Sequence, residues 1–278
     1  MREFSFSAQK FSDVDTIGFS TEEYSKLKYG SKRVARYFGV ELANKFLEYL
    51  EGEGKELKSI LEGQKIAIAS APYKFIPVAS TVLKDYFVSI FNTEWAEANP
   101  SLQDLKIFRG HSYNCDYGAL SVEERESRLT GDSFYVDSNF IKDKVLFCVD
   151  DVRITGAHER RVKKLLEKSG YTGTVVYIYY AEYTGNGHAN IENHLNYGFV
   201  KGDSSDLVNI NHIIQSDEFK FNTRVTKYIL SAKSIEFKNF IDYQTESFRY
   251  SLLTYLTGNE YHKIEEFKEN VKYLKTKI

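Results

Sequence analysis

The chain has 278 residues and a mass of 32.1 kDa, which allows one large domain or one domain with a smaller annex. Its 37 Lys and Arg residues against 39 Asp and Glu residues give a net charge of −2, so no bulk positive field exists to hold nucleic acid or an anionic membrane. No apolar run approaches the roughly 20 residues of a membrane span, the first residues lack the apolar core of a signal peptide, and two cysteines make no disulfide framework. We therefore expect a cytoplasmic protein.

The N-terminal segment shows helical patterns. Ser20 followed by Glu23 fits a capping box, so a helix is predicted over residues 20–29. Apolar residues recur every four positions over residues 33–50, which predicts a second helix. A third helix is predicted over residues 55–61.

Strand and helix patterns alternate through the middle of the chain. Apolar strands are predicted over residues 65–71, 105–108, 145–149 and 174–180, with helices over 78–96 and 157–169. Because the strongest strands are almost wholly apolar, the pattern predicts an α/β fold with a mostly parallel sheet covered by helices on both faces.

The last part of the chain, residues 216–278, shows only helical spacing of apolar residues. We predict three units: an N-terminal helical segment over 1–60 that packs on the core, an α/β core over 61–215, and a helical C-terminal region over 216–278. Two interpretations of the C-terminal region stay open: it packs on the sheet domain, or it forms a homo-oligomer contact.

The segment with the clearest chemistry is residues 145–159. An apolar strand is followed by Asp150 and Asp151, and four residues later Thr155 and Gly156 open a helix. Free N–H groups at that helix N-terminus can bind a phosphate, which Gly156 lets approach closely. The two carboxylates lie about one sugar away and can accept hydrogen bonds from the vicinal hydroxyls of a ribose.

This segment resembles the phosphoribosyl pyrophosphate (PRPP) motif of type I phosphoribosyltransferases, and the order of the surrounding segments resembles the ComF-like branch found in tellurium-resistance-type operons. The resemblance implies that Asp150 and Asp151 act in catalysis by holding the ribose. It also implies a 5-phosphate site formed by Asp151, Thr155, Gly156, Ala157 and His158. Two positions depart from the motif, because Ile154 replaces a small hydroxyl residue and His158 replaces Thr or Ser.

The resemblance also assigns the loop after the first predicted core strand to pyrophosphate. Ala71, Tyr73 and Lys74 are the candidates in this loop, where Lys74 would add a mobile positive charge; an ordinary strand–helix loop with an exposed Lys is an equal alternative. Arg109, also predicted to act in catalysis, is the candidate from the next strand. Tyr183 is the candidate that stacks on the acceptor base, although a plain surface loop is an equal alternative. Residues 117–125 match the flexible hood of the family in part, with its Leu and Arg pattern, and residues 133–135 match the aromatic that precedes the PRPP strand.

The predicted activity is transfer of 5-phosphoribosyl from PRPP to a nitrogenous base, with release of pyrophosphate. Mg²⁺ is the expected cofactor, held through Asp150 and Asp151 without a dedicated protein site, and the expected partners are PRPP and a small-molecule acceptor. The alternative is a regulatory module that binds PRPP or a nucleotide without turnover. A basic cluster, Lys26, Lys28, Lys32 and Arg33, is interpreted as a solvated helix face rather than a nucleic-acid patch, with a cap on a phosphate site as the alternative.

Overall fold

The computed structural model describes residues 1–110, 134–186, 190–216 and 218–278. The strands are β1 Arg2–Phe11, β2 Ile66–Ser70, β3 Gln103–Asp104, β4 Phe108–Arg109, β5 Phe134–Tyr135, β6 Val145–Arg153 and β7 Thr174–Tyr183. The first helices are α1 Thr21–Lys28, α2 Lys32–Glu51, α3 Lys55–Leu61, α4 Ala79–Trp95, α5 Ser138–Ile141, α6 Ala157–Lys168 and α7 Ile191–Asn196. The remaining α-helices are α8 Leu207–Ser216, α9 Thr223–Leu230, α10 Ser234–Tyr243, α11 Glu246–Gly258 and α12 Lys268–Lys275.

Five strands form one sheet in the order β1-β7-β6-β2-β3, and every neighbouring pair is parallel. The central register pairs Ser70 with Val149 and Asp150 with Tyr179. β4 and β5 form a separate antiparallel ribbon. The parallel sheet confirms the predicted α/β class.

Helices cover both faces of the sheet because side chains alternate along each strand. Ile66, Ile68 and Phe147 belong to a core shared with α2 and α4 on one face. Ala67, Leu146 and other side chains of the opposite face pack with Val162 and Leu166 of α6. No helix in the described ranges is long and apolar enough to cross a membrane.

Most of the predicted helices and strands are confirmed, and two predictions need correction. Residues 2–11, within the segment predicted to be helical, form edge strand β1; Phe4, Phe6 and Ala8 pack on the core. The strand predicted over 105–108 does not form as predicted: β3, which pairs with β2, ends at Asp104, and of the predicted range only Phe108 lies in a strand, β4, which pairs with β5. Of the predicted capping box, half is present: the Ser20 hydroxyl accepts from the Glu23 amide at 3.2 Å, while the Glu23 carboxylate contacts Lys26 and Arg33.

The regular elements after residue 217 are all helical in the described part of the chain, as predicted. They enclose a second core, which includes Val225, Phe237, Leu252 and Leu274. This region also contacts the sheet domain, since the Thr223 amide donates to the Pro77 carbonyl at 2.9 Å. Packing on the sheet domain is therefore present; a contact between copies of the chain stays a prediction, as does the division into three units.

Candidate functional site

The candidate site lies between the neighbouring strands β2 and β6, whose following helices pack on opposite faces of the sheet. α4, which follows β2, packs on one face, while α6, which follows the neighbouring strand β6, packs on the other. In open α/β sheets this divergence creates a crevice at the carboxyl ends of the two strands, where ligands bind. A cleft of about 340 Å³ lies there, within the size range of small-molecule sites.

The two acids lie inside a strand rather than after it, which corrects the predicted end of that strand at residue 149. β6 continues to Arg153 and stays paired with β7, with Asp150 opposite Tyr179. Because successive side chains of a strand point to opposite faces, Asp150 contacts α6 and Asp151 contacts α1. Both acids nevertheless line the cleft.

Asp150 is paired with a residue that departs from the family motif. His158 Nδ1 lies 2.9 Å from Asp150 Oδ2, and Asp150 Oδ1 accepts a hydrogen bond from the Asp151 amide at 3.0 Å. Burial disfavours the charged carboxylate, but the hydrogen bond and charge of His158, together with the charge of Lys28, outweigh burial and lower the pKa of Asp150. Asp150 is therefore ionised at neutral pH.

Asp151 is paired with Lys28, the last residue of α1. The Nζ–Oδ2 distance is 2.5 Å, and the side chains are 17% and 7% exposed for Lys28 and Asp151. Asp151 Oδ1 also accepts from the Val152 amide at 2.8 Å. The interpretation of the basic cluster as a solvated face is therefore wrong for Lys28, which enters the cleft.

The Thr155–Gly156 turn presents the N-terminus of α6 to the cleft. Gly156 is the N-cap residue with φ +66°, a left-handed conformation that costs other residues free energy, and it supplies no side-chain acceptor to the first turn. The Thr155 hydroxyl accepts from the Ala157 amide at 3.3 Å. A helix of 12 residues with such an end favours an anion through its amides and dipole.

Arg153 and Arg160 form hydrogen bonds beside the turn. Arg153 donates to Glu159 at 2.9 Å and to Glu182 of β7 at 2.6 Å. Arg160 donates to the Thr155 carbonyl at 2.8 Å. These bonds fix the backbone of the turn before any ligand binds.

The loop after β2 forms the opposite side of the cleft. Ala71, Tyr73, Lys74 and Arg109 all line it, and the backbones of Tyr73 and Arg109 are joined by a hydrogen bond of 3.2 Å. Lys74, expected to be a mobile cation, instead forms an ion pair with Glu260. The structure thus brings the phosphate, ribose and pyrophosphate candidates to one cleft.

Tyr183 lies apart from this cleft. Its ring is 6% exposed and packs against Phe11 at 5.5 Å between ring centroids, and its hydroxyl donates to the Asn186 carbonyl. The structure therefore gives no support to Tyr183 as a base-stacking residue; Tyr179, four residues earlier on β7, lines the cleft instead. The predicted hood, residues 117–125, lies outside the described residues.

The C-terminal region supplies part of the cleft wall, which the sequence did not indicate. Arg224, Lys227 and Tyr228 of α9 line it together with Asn259 and Tyr261. Arg224 and Lys227 are three positions apart, which places them on one face of α9. This spacing does not predict that the face lines the cleft.

The described lining is rich in charge, with seven Lys and Arg side chains and four carboxylates. The described residues contain no cluster of three or more His, Cys, Asp or Glu side chains that could hold a metal ion. Asp150 and Asp151 offer hard oxygen donors, which Mg²⁺ prefers, and Mg²⁺ is commonly held by one or two carboxylates plus substrate phosphates. The residues present therefore fit a metal whose shell the substrate completes.

Comparison with known proteins gives a family match over most of the chain. A family model described as PRTase ComF-like matches residues 3–274. The match includes β1, the α/β sheet and the C-terminal helices. No curated protein matches the chain significantly.

Proposed function

Since the chain belongs to the ComF-like phosphoribosyltransferase family, we propose that it transfers the 5-phosphoribosyl group of PRPP to a nitrogen atom of an acceptor base and releases pyrophosphate. The observation that carries the proposal is the convergence of three groups on one cleft: the N-terminus of α6, the carboxylates of Asp150 and Asp151, and the loop after β2. In this proposal the three groups bind the 5-phosphate, the ribose and the pyrophosphate of PRPP, in that order.

In this proposal the amides from Thr155 to His158 bind the 5-phosphate, because the helix end offers donors and a favourable dipole. The carboxylates of Asp150 and Asp151 accept hydrogen bonds from the ribose hydroxyls. To do so they exchange part of their contacts with His158 and Lys28 for contacts with the sugar.

The reaction breaks the bond between C1 of the ribose and a pyrophosphate oxygen, and the electron pair leaves with pyrophosphate. A bond between C1 and the acceptor nitrogen forms, and the nitrogen loses its proton to solvent or to a base. Because positive charge develops at C1, the carboxylate of Asp151 favours the transition state by electrostatics. Lys74 and Arg109 stabilise the negative charge that accumulates on pyrophosphate.

Mg²⁺ is part of the proposal, with Asp150 and Asp151 as the protein groups that would hold it through oxygen donors. When bound, the metal supplies charge neutralisation for the pyrophosphate oxygens. The chain's own contribution is to orient the ribose and to hold the cations Lys74, of the loop after β2, and Arg109, of β4, at the leaving group.

A second function is favoured by one observation: both acids are already ion-paired, Asp150 with His158 and Asp151 with Lys28. If these pairs persist when the ligand binds, the acids do not reach the ribose. The protein then binds PRPP or a nucleotide through its phosphates alone and acts as a regulatory module without turnover.

The test is to incubate the protein with PRPP, Mg²⁺ and a panel of purine, pyrimidine and non-canonical bases and to measure pyrophosphate release. The variant Asp150→Asn is compared with Asp143→Asn, a matched change just before β6 at the opposite end of the strand, where Asp143 contacts Lys65 and Lys144. We expect release by the wild type and by Asp143→Asn, with strong loss in Asp150→Asn. Tight PRPP binding by calorimetry with no release across the panel would support the regulatory module instead.

A further inference from the structure

We propose that Asn259, in the C-terminal helical region, is a positioning residue that holds the pyrophosphate-binding loop after β2 in its working conformation. The inference rests on the function proposed above and adds to it a role for a residue outside the PRPP motif. It makes the C-terminal region a part of the transferase site.

The amide side chain of Asn259 bridges two segments. Its Oδ1 accepts hydrogen bonds from the backbone amides of Phe75 at 2.9 Å and Ile76 at 2.8 Å. Asn259 and Tyr261, two residues later, both line the cleft. Asn259 is 2% exposed and Ile76 is fully buried, so loss of this acceptor leaves the Ile76 amide buried without a partner, which costs free energy.

The end of α11 is shaped to bring Asn259 to the loop. Gly258 lies against the ring of Phe75, and a Cβ added to Gly258 would lie 2.2 Å from that ring. Only glycine permits this approach. The residue after Asn259, Glu260, has φ +62°, a strained conformation that persists where surrounding contacts fix it.

Glu260 adds an ionic contact to the same loop, because its carboxylate pairs with Lys74. Residues 258–260 thus contact the loop at three consecutive positions, from Lys74 to Ile76. Just before these positions, Ala71 and Tyr73 face the cleft. Because a loop fixed before binding loses less entropy when ligand arrives, releasing these contacts weakens the binding of PRPP more than it slows the chemical step.

The test variant is Asn259→Leu, which keeps a similar volume and removes the acceptor. Asn259→Asp, which retains an oxygen acceptor for both amides, is the rescue variant. Asn270→Leu is the matched control, since Asn270 is also a buried asparagine of the C-terminal core but donates to the carbonyls of Leu230 and Ala232. Initial rates of pyrophosphate release give KM for PRPP and kcat, and hydrogen exchange follows the amides of Phe75 and Ile76.

For Asn259→Leu we expect KM for PRPP to rise roughly ten-fold, the scale set by a buried polar group that loses its partner, with kcat changed less than about three-fold. Both amides exchange faster. Asn259→Asp and Asn270→Leu keep KM near the wild-type value. A KM unchanged in Asn259→Leu, or raised equally in Asn270→Leu, would overturn the inference.

A second variant covers the case in which Asn259→Leu does not fold. Gly258→Ala pushes the Phe75 ring without changing Asn259, and it is expected to raise KM for PRPP in the same way; an unchanged KM contradicts the inference. If the wild type neither binds nor turns over PRPP, the proposed function fails. Slow exchange of the Phe75 and Ile76 amides, lost in Asn259→Leu, still reports that Asn259 holds the loop.

Discussion

The ion pair between Lys28 and Asp151 allows structural and catalytic roles of one carboxylate to be separated. Breaking a buried pair by removing one partner costs about 3–5 kcal/mol, whereas an exposed pair contributes about 0–1 kcal/mol. The side chains of Lys28 and Asp151 are 17% and 7% exposed at the rim of a cleft, so the free-energy cost of breaking this pair lies between the two limits. Lys28→Met leaves the Asp151 carboxylate with the Val152 amide as partner, so we expect a loss of about 2 kcal/mol.

Asp151→Asn has a smaller structural cost, about 1 kcal/mol, because the Lys28 ammonium can turn toward water in the cleft. The double variant Lys28→Met, Asp151→Asn removes both charges and is expected to lose less stability than Lys28→Met alone. For a chain of this size each kcal/mol corresponds to about 2–4 °C in Tm. Thermal unfolding of the wild type and the three variants completes a double-mutant cycle.

The same variants are assayed for pyrophosphate release from PRPP. Asp151→Asn is expected to lower kcat/KM by roughly 10², because a negative charge near the developing cation is lost. The double variant regains stability relative to Lys28→Met and stays as inactive as Asp151→Asn. Turnover of Asp151→Asn within about three-fold of the wild type, or recovery of activity in the double variant, would refute the role given to this carboxylate.

Three further results are expected at the same cleft. In His158→Ala the pKa of Asp150, held low in the wild type by His158 and Lys28 against burial, rises, so the acid limb of the pH–activity profile moves to higher pH; an unmoved limb contradicts the pairing. In the wild type, ionised Asp150 stabilises the fold at pH values above about 4, the ordinary pKa of Asp. This stability is lost as the pH falls through the lowered pKa of Asp150. Gly156 has φ +66° and Gly170 has φ +73°, so Gly156→Ala and Gly170→Ala each lose about 1–2 kcal/mol of stability. In calorimetry only Gly156→Ala weakens PRPP binding. Equal weakening by both variants would argue against a phosphate site at the Gly156 turn. Lys227→Gln removes a cation of the cleft wall and raises KM for PRPP roughly ten-fold; an unchanged KM would place Lys227 outside the binding surface.

The sequence predicted the sheet and its helices well because burial on both faces leaves clear apolar patterns. Edge strand β1 was missed, although Phe4, Phe6 and Ala8 alternate as a half-buried strand requires. The run is short, with Ser5 and Ser7 between the apolar residues, and the exposed, charged residues Arg2, Glu3 and Lys10 on either side weaken the pattern. β3 could not be predicted, since Gln103 and Asp104 are polar and join the sheet only through pairing with β2.

The phosphate and ribose candidates could be predicted because strand, acids and glycine turn follow each other within one segment. Their partners could not, because Lys28 lies 123 residues from Asp151 in sequence. His158 departs from the motif, and its contact with Asp150 depends on the first turn of α6 reaching back over the strand. Asn259 and Lys227 belong to helices whose apolar spacing reports their own core and says nothing of the cleft.

The measurement that tests the central claim most directly is a crystal structure of the protein with PRPP and Mg²⁺. We expect the 5-phosphate on the amides of the turn from Thr155 to His158, and the ribose hydroxyls within hydrogen-bond distance of Asp150 and Asp151. Both acids then give up part of their present ion pairs. PRPP bound elsewhere, or bound at this cleft with both ion pairs intact and the diol turned away, would contradict the account.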